Sequence, residues 1–229
     1  QYALFERGNF LYKKNVINIL RVSAPILVLA GAFTLLMVSG YIDLSVGSTM
    51  GLTAVIYAML AINGVPFIAA FSITVMCGVL LGAFNGLLVV KFNITPVIAT
   101  LITLSLYKGI ALLLVEDGVS AIKSMGDMKM PSWFNDYARD AVLLGLPMAF
   151  WVAVGVTALL IILQNRSLLG KYAAATGGNP TAAKLSGIKT GLVVFALYAI
   201  VGATASLAGI ARASFMSLGD PLSGDGMEL

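Results

Sequence analysis

The stretch VPFIAAFSITVMCGVLLGAFNGLLVV, residues 65–90, decides the fold, because it carries no charged residue from end to end. A bilayer core about 30 Å thick is crossed by roughly 20 residues of helix, and this run exceeds that length. Its apolar residues cover the whole circumference, unlike the single apolar face of a soluble amphipathic helix. Nor does it alternate with period two, as the strands of an outer-membrane β-barrel do. Working outward, five further runs have the same character: Val22–Ser39, Leu44–Ile62, Ile94–Val115 (interrupted by Lys108), Ala141–Leu163 and Thr190–Ala211. The predicted fold class is all-α, a polytopic transmembrane helix bundle of about six membrane segments, forming one domain over residues 1–229.

Composition leads to the same class. Hydrophobic residues make up 59% of the chain and charged residues only 10%, with a mean hydropathy of +0.98. An ordinary soluble protein carries roughly 25% charged residues, so this chain lacks the polar surface to cover a soluble globule. The net charge of +4 does not make it a nucleic-acid binder: its fourteen basic residues are scattered among the ends of apolar runs, with no contiguous patch. The chain has no histidine and one cysteine, Cys77, which removes most catalytic and metal-site constellations and any intrachain disulfide. We expect no enzyme activity, no metal and no cofactor bound by this chain. It begins without an initiator Met and stops at Glu228-Leu229 without a helix-ending signal. We therefore expect it to be part of a longer protein, with helices missing at both ends; no signal peptide is visible.

The connections orient the bundle. Residues 164–189 hold Arg166, Lys171, Lys184 and Lys189 and no acid, the signature of a cytoplasmic loop. Residues 116–140 hold Glu116, Asp117, Asp127, Asp136 and Asp140 against three bases, with Trp133 and Tyr137 suited to a membrane interface, and read as an outer loop. Counting crossings back from these loops puts Lys91 inside but residues 1–21 outside, although Arg7, Lys13, Lys14 and Arg21 make that segment basic. Two explanations stay open: an early run that does not cross fully, or packing that outweighs the charge rule.

Several polar residues stand out within the apolar runs. Gly78, Gly82 and Gly86 recur every four residues, making a smooth stripe on which a partner helix packs. Asn85, beside that stripe, either bonds a neighbouring helix or lines a polar pathway, since a buried amide in lipid needs a partner. Asp43 opens the second run within the stretch Ser39 to Ser48. Either it caps a helix start with Ser45 and Ser48, or a Gly-rich break exposes backbone and carboxylate to a solute. Lys108 reads as a snorkelling or paired charge, with a cation pathway as the rival. In the basic loop, Gly177-Gly178 does not fit a phosphate-binding loop. The spacing predicts two short helices, Lys171–Thr176 and Pro180–Leu185, broken at the glycine pair. Asn179-Pro180 supplies the cap and first turn of the second. This elbow is either a docking surface or a plain linker.

Four blocks resemble a known family, the sugar-type permease subunits of bacterial ABC importers. Gly40-Tyr-Ile-Asp-Leu-Ser-Val-Gly-Ser48 looks like its signature, with Tyr41 where the family usually has a second glycine. Asn85-Gly-Leu-Leu-Val-Val-Lys91, with Thr95-Pro96, Thr100-Leu101 and Tyr107-Lys-Gly109, is similar to its central block. Gly170-Lys-Tyr172, Gly177-Gly-Asn179, Ala182-Ala183 and Ser186-Gly-Ile188 resemble its cytoplasmic coupling loop. Leu207-Ala-Gly209 and Gly224 to Leu229 resemble a following block.

The resemblance implies a permease in the bacterial inner (cytoplasmic) membrane, with a translocation path formed between two permease subunits. It implies cytoplasmic ATPase partners that use ATP, and a periplasmic or lipid-anchored sugar-binding protein that delivers the solute. The coupling element would comprise Gly170, Lys171, Tyr172, Gly177, Gly178, Asn179, Ala182, Ala183, Ser186 and Gly187. Candidates for the path are Asp43, Ser45, Ser48, Asn85, Thr100, Thr103, Ser105 and Ser206. A related permease for branched-chain amino acids or nucleosides is the alternative, and a secondary transporter a weaker one, because intramembrane acids are almost absent.

Overall fold

A computed structural model describes residues 12–115, 131–140 and 142–227. Among these, the elements in chain order are α1 (Lys13–Val38), α2 (Val46–Ile62), α3 (Phe67–Val90), α4 (Pro96–Leu114), the short α5 (Ser132–Asn135) and a π-helical turn (Asp136–Asp140). There follow a two-residue hairpin, β1 (Val142–Leu143) and β2 (Leu146–Pro147), then α6 (Met148–Arg166), α7 (Leu168–Gly178), α8 (Pro180–Leu185) and α9 (Thr190–Met216). Five helices, α1, α3, α4, α6 and α9, are long and apolar enough to span a membrane, and α2 is a shorter apolar helix of 17 residues. The chain is a multi-pass helical bundle.

Each apolar run became a helix, but several limits moved: α1 starts at Lys13, well before Val22, and α6 runs on to Arg166. The run from Ala141 opens in β1–β2 before the helix begins at Met148. Leu144 and Gly145 both take positive φ, 53° and 81°, which is the geometry of a tight two-residue hairpin turn. Pro147, extended at the N-cap, then starts α6. The last run continues past Ala211 to Met216, where Ser217 in the left-handed region ends it.

α9 is the central helix, with 67% of its membrane window buried against at most 39% for the other spanning helices. The glycine stripe explains how α3 reaches it. A Cβ on Gly82 would run into the Tyr198 carbonyl oxygen, one on Gly78 would meet the Gly202 oxygen at 2.5 Å, and one on Gly86 would lie 3.1 Å from the Phe195 Cα. The two helices run antiparallel in backbone contact, as small-residue stripes permit.

After α9 the chain turns back along α2. Gly219 lies against Ala58, Pro221 against Gly51 and Gly224 against Gly47, so most of α2 is enclosed. Enclosure on that scale explains why 17 residues suffice: α2 begins inside the bundle rather than at its edge.

The basic elbow α7–α8 sits with the ends of α1 and α3 and the start of α9 at one end of the bundle, here the elbow end. Gly177 packs on the Val38 carbonyl, and Gly191 on Val90. α1 runs parallel to α6, with Gly31 against Leu160 and Thr157 donating to the Leu27 carbonyl at 3.4 Å. The N-terminus of α1 with Arg21 is therefore at the far end from the elbow, and the charge conflict over that segment persists in the folded chain. Packing of α1 against α6 and α9 fixes its direction.

The far end is filled with aromatic rings. Tyr57 stacks on Phe134 at 4.9 Å and meets Trp133 edge-on at 5.8 Å, while Phe71 meets Tyr137 at 6.1 Å. Trp133 and Tyr137 thus pack against α2 and α3 at this end of the bundle, Trp133 half-buried and Tyr137 buried. The inward-facing gap above α2 and α3 takes them. Arg7, Glu116, Asp117 and Asp127 lie outside the described residues.

Candidate functional site

Two features at the elbow end collect the polar residues. The first is the break between α1 and α2. Gly40 takes a φ of +84° while Tyr41 does not enter the left-handed region, so one glycine makes the turn and tyrosine is accommodated beside it. Past the turn, Asp43 is buried and its Oδ1 accepts from the Ser45 backbone N–H at 2.8 Å and the Ser45 hydroxyl at 2.7 Å. Asn85 on α3 reaches across: its Nδ2 donates to Asp43 Oδ2 at 3.2 Å and to Ser45 Oγ at 2.7 Å. Tyr107 on α4 donates to Asn85 Oδ1 at 3.1 Å and to the Leu81 carbonyl at 2.9 Å. Tyr198 on α9 donates to the Ile42 carbonyl at 2.9 Å.

The break is thereby pinned by α3 and α9 directly and by α4 through Asn85. It lies within the bundle: Asn85 is five residues, about 8 Å, from the end of α3, and Tyr198 eight residues, about 12 Å, from the start of α9. Irregular backbone is tolerated at such depth only when its polar groups are satisfied by protein or by water in a cavity. Asp43 does part of what a cap would do, through the Ser45 N–H. Ser48 does not cap: its hydroxyl donates back to the Ser45 carbonyl at 2.9 Å.

The second feature is the elbow. Ser167 accepts from the Gly170 N–H at 3.2 Å and caps α7; Asn179 accepts from the Ala182 N–H at 2.9 Å and caps α8, with Pro180 in its first turn. The cap at Asn179 is where the spacing placed it. The first helix is longer than expected, starting at Leu168 and including Gly177 and Gly178, so the break falls at Asn179 and not at the glycine pair. An extended Asn179, φ −155° and ψ 97°, suffices to turn the chain. Lys171, Tyr172, Gly177, Gly178, Asn179, Ala182, Ser186 and Gly187 are exposed, whereas Gly170 and Ala183 are buried and seat the elbow on the bundle. A Cβ at Gly170 would enter the Gln164 backbone and one at Gly177 would enter the Val38 carbonyl; Gly178 has open space around it. The elbow therefore touches the last turn of α1, immediately before the break.

The remaining path candidates do not converge on either feature. Thr100 donates to the Pro96 carbonyl at 2.8 Å, Thr103 to Thr100 at 3.2 Å and Ser206 to Ala203 at 2.6 Å, all fully buried. Ser105 donates to Leu101 at 3.3 Å and is exposed. Each spends its hydroxyl on its own helix. Lys108 is paired, as one sequence reading had it: its Nζ lies 2.7 Å from Asp225 Oδ2, and both side chains are partly exposed, 34% and 51%. Tyr107 and Asp225 stand in the sequence reading only within blocks that carry the resemblance, with no role assigned, and Tyr198 not at all. A tyrosine inside an apolar run, whose hydroxyl must find a partner once buried, was the available signal for Tyr107 and Tyr198.

Fold and site define a multi-pass α-helical membrane protein with a pinned irregular turn between two helices in its core and a capped, exposed elbow at one end. The chain belongs to the family described as the branched-chain amino acid transport system / permease component, whose model matches residues 15–229. Among similar proteins are the ribose import permease protein RbsC of Haemophilus influenzae, 31% identical over 96% of this chain and 67% of its own length. The D-allose transport system permease protein AlsC of Escherichia coli is 34% identical over 96% and 65%. The autoinducer 2 import system permease protein LsrD of an Enterobacter strain is 33% identical over 82% and 57%. The chain thus spans about two thirds of the length of these permeases or somewhat less. No solved structure matches it. It is a permease component of an ABC import system, a transport subunit that works with an ATPase and a solute-binding protein.

Proposed function

We propose that this chain is most of one permease subunit of an ATP-driven monosaccharide importer in the bacterial inner membrane, and that α7–α8 receives a cytoplasmic ATPase. The observation that carries this reading is the seating of the elbow: Gly177 packs on the end of α1 directly before the pinned break. A force applied to the exposed residues of α7–α8 is delivered to the pinned break in the bundle core. The proposed work is alternating access, in which ATP-driven closure of two ATPase subunits moves rigid helix groups so that the path opens to one side at a time. The permease itself makes and breaks no covalent bonds, and ATP belongs to the partner.

The path is proposed to lie between two permease subunits, homologous or identical. Ser105, exposed on α4, and the half-exposed pair Lys108–Asp225 are the groups best placed to face it. Lys108 is twelve residues, about 18 Å, into α4, where a charge pair facing lipid is costly and one facing water is not. Asp43, Ser45 and Asn85 frame the path from inside, and Thr100, Thr103, Ser48 and Ser206 hold the helices. The ribose and allose names of the relatives support a sugar as solute over a branched-chain amino acid or nucleoside.

Uptake into vesicles holding the full-length permease is the test. Transport that requires the ATPase subunit, ATP and the binding protein is expected; uptake by the permease alone under an ion gradient overturns the proposal. A calorimetric screen of sugars against the cognate binding protein identifies the solute. Ala182→Glu, on the exposed face of α8, is expected to abolish co-purification with the ATPase while membrane insertion stays normal. Normal association would remove the elbow from its proposed role.

A further inference from the structure

At the elbow end a cleft of about 560 Å³ opens between the last turn of α3 and the first turns of α9. Its walls are apolar, with Leu87, Leu192 and Phe195 among them, and Lys91, Lys184 and Lys189 also line it. All three lysines are exposed. Among the described residues none of them is in an ion pair, and no acid occurs in residues 164–189 or 65–95. Leu192, from the first turn of α9, is 63% exposed at the level of the lysines. An apolar wall left open beside three unpaired ammonium groups, at the edge of a membrane bundle, matches a molecule with a hydrocarbon tail and an anionic head.

We propose that this cleft is a binding site for an anionic phospholipid, a phosphate diester whose head group is held by Lys91, Lys184 and Lys189 while an acyl chain lies along Leu87, Leu192 and Phe195. Charge complementarity selects the lipid over a second apolar protein surface, because a protein partner would have to bring its own acids to a position where the bilayer already supplies phosphate. The first turn of α9 adds the positive end of its dipole to the same side. The site joins α3, the elbow and α9, so an occupied cleft holds the elbow against the two helices that pack through the glycine stripe.

The test uses the full-length permease in nanodiscs of equal phosphatidylglycerol and phosphatidylcholine, extracted gently and examined by native mass spectrometry. Phosphatidylglycerol is expected to be retained in clear excess. Each lysine near a charged surface contributes about a fivefold change in binding, so Lys91→Gln/Lys184→Gln/Lys189→Gln is expected to lose at least tenfold of the retained lipid. Arg166→Gln/Lys171→Gln, which removes charge from the same end outside the cleft, is expected to keep it. Equal retention of the two lipids, or undiminished retention by the triple variant, overturns the proposal. Should the triple variant fail to assemble, Lys184→Gln alone, at an exposed site, carries the same expectation as a several-fold loss. A photo-crosslinker at position 192 is expected to label lipid. Labelling of a second permease copy, an ATPase or another part of the same chain would assign the cleft to protein and overturn the proposal equally.

Discussion

Replacing Asn85 by leucine removes the amide that ties the break to α3 while keeping the number and branching of the side chain's heavy atoms. Three contacts are lost, and they are not equal. Tyr107 keeps an acceptor, because its hydroxyl already donates to the Leu81 carbonyl at 2.9 Å, so that loss is near zero. Ser45 loses the amide at 2.7 Å but still donates to Asp43, a loss of about 0.6 kcal/mol by the average of interhelical polar contacts in membranes. The dominant loss is the amide donor to the buried Asp43 carboxylate, about 1.5–3 kcal/mol for a hydrogen bond to a charged group. The sum is about 2–3.5 kcal/mol. For a chain of 150–250 residues one kcal/mol corresponds to about 2–4 °C in melting temperature, so thermal unfolding of the detergent-solubilised full-length permease should fall by about 4–14 °C. In an Asp43→Asn background the charged term is absent, and the same change should cost about 1 kcal/mol. The difference of about 1–2 kcal/mol is the coupling a double-mutant cycle reads. Ser105→Ala, which removes an exposed hydroxyl bonded to its own helix, serves as the reference with a change near zero. If Asn85→Leu melts with that reference and the cycle shows no coupling, the buried network does not hold the break.

The glycines separate packing from propensity: Gly82→Ala would drive a methyl group into the Tyr198 carbonyl and should destabilise by about 1–3 kcal/mol, whereas Gly155→Ala, with nothing within 4 Å, should be neutral or gain up to about 1 kcal/mol; paired melting curves distinguish them. Gly177→Ala should lower ATP-dependent uptake while Gly178→Ala leaves it unchanged, because only the former meets the Val38 carbonyl; equal uptake by both would place the elbow's leverage elsewhere. For the ion pair, Lys108→Gln and Asp225→Asn should each reduce uptake more than the double change does, since each single change strands one charge; additive losses would mean that the pair acts as two separate groups.

The uncharged run of residues 65–90 and its companions made the membrane bundle legible because helix length and bilayer thickness are the same physical constraint. The glycine spacing announced a close helix contact, but not that α9 supplies it, since a smooth stripe accepts any partner of the right shape. Asn179-Pro180 marked its cap correctly because a cap is local. What escaped was non-local. Asn85 to Asp43 and Tyr107 to Asn85 join residues 42 and 22 positions apart, and the partner of Lys108 lies 117 positions away. Nothing in the neighbourhood of any one of these residues names the other. The same distinction accounts for α2: an apolar run of its length reads as an ordinary span, and only the returning segment, set against it at Gly47, Gly51 and Ala58, shows why it is shorter and where it starts. A helix that begins inside the bundle needs its first polar groups satisfied by protein, and Asp43 with Asn85 is how this sequence meets that need. The polar residues scattered over the apolar runs are therefore of two kinds. Those bonded to their own helix, such as Thr100 and Ser206, cost the bundle little. Those bonded across helices fix where the irregular backbone sits, and their replacement is the change the bundle tolerates least.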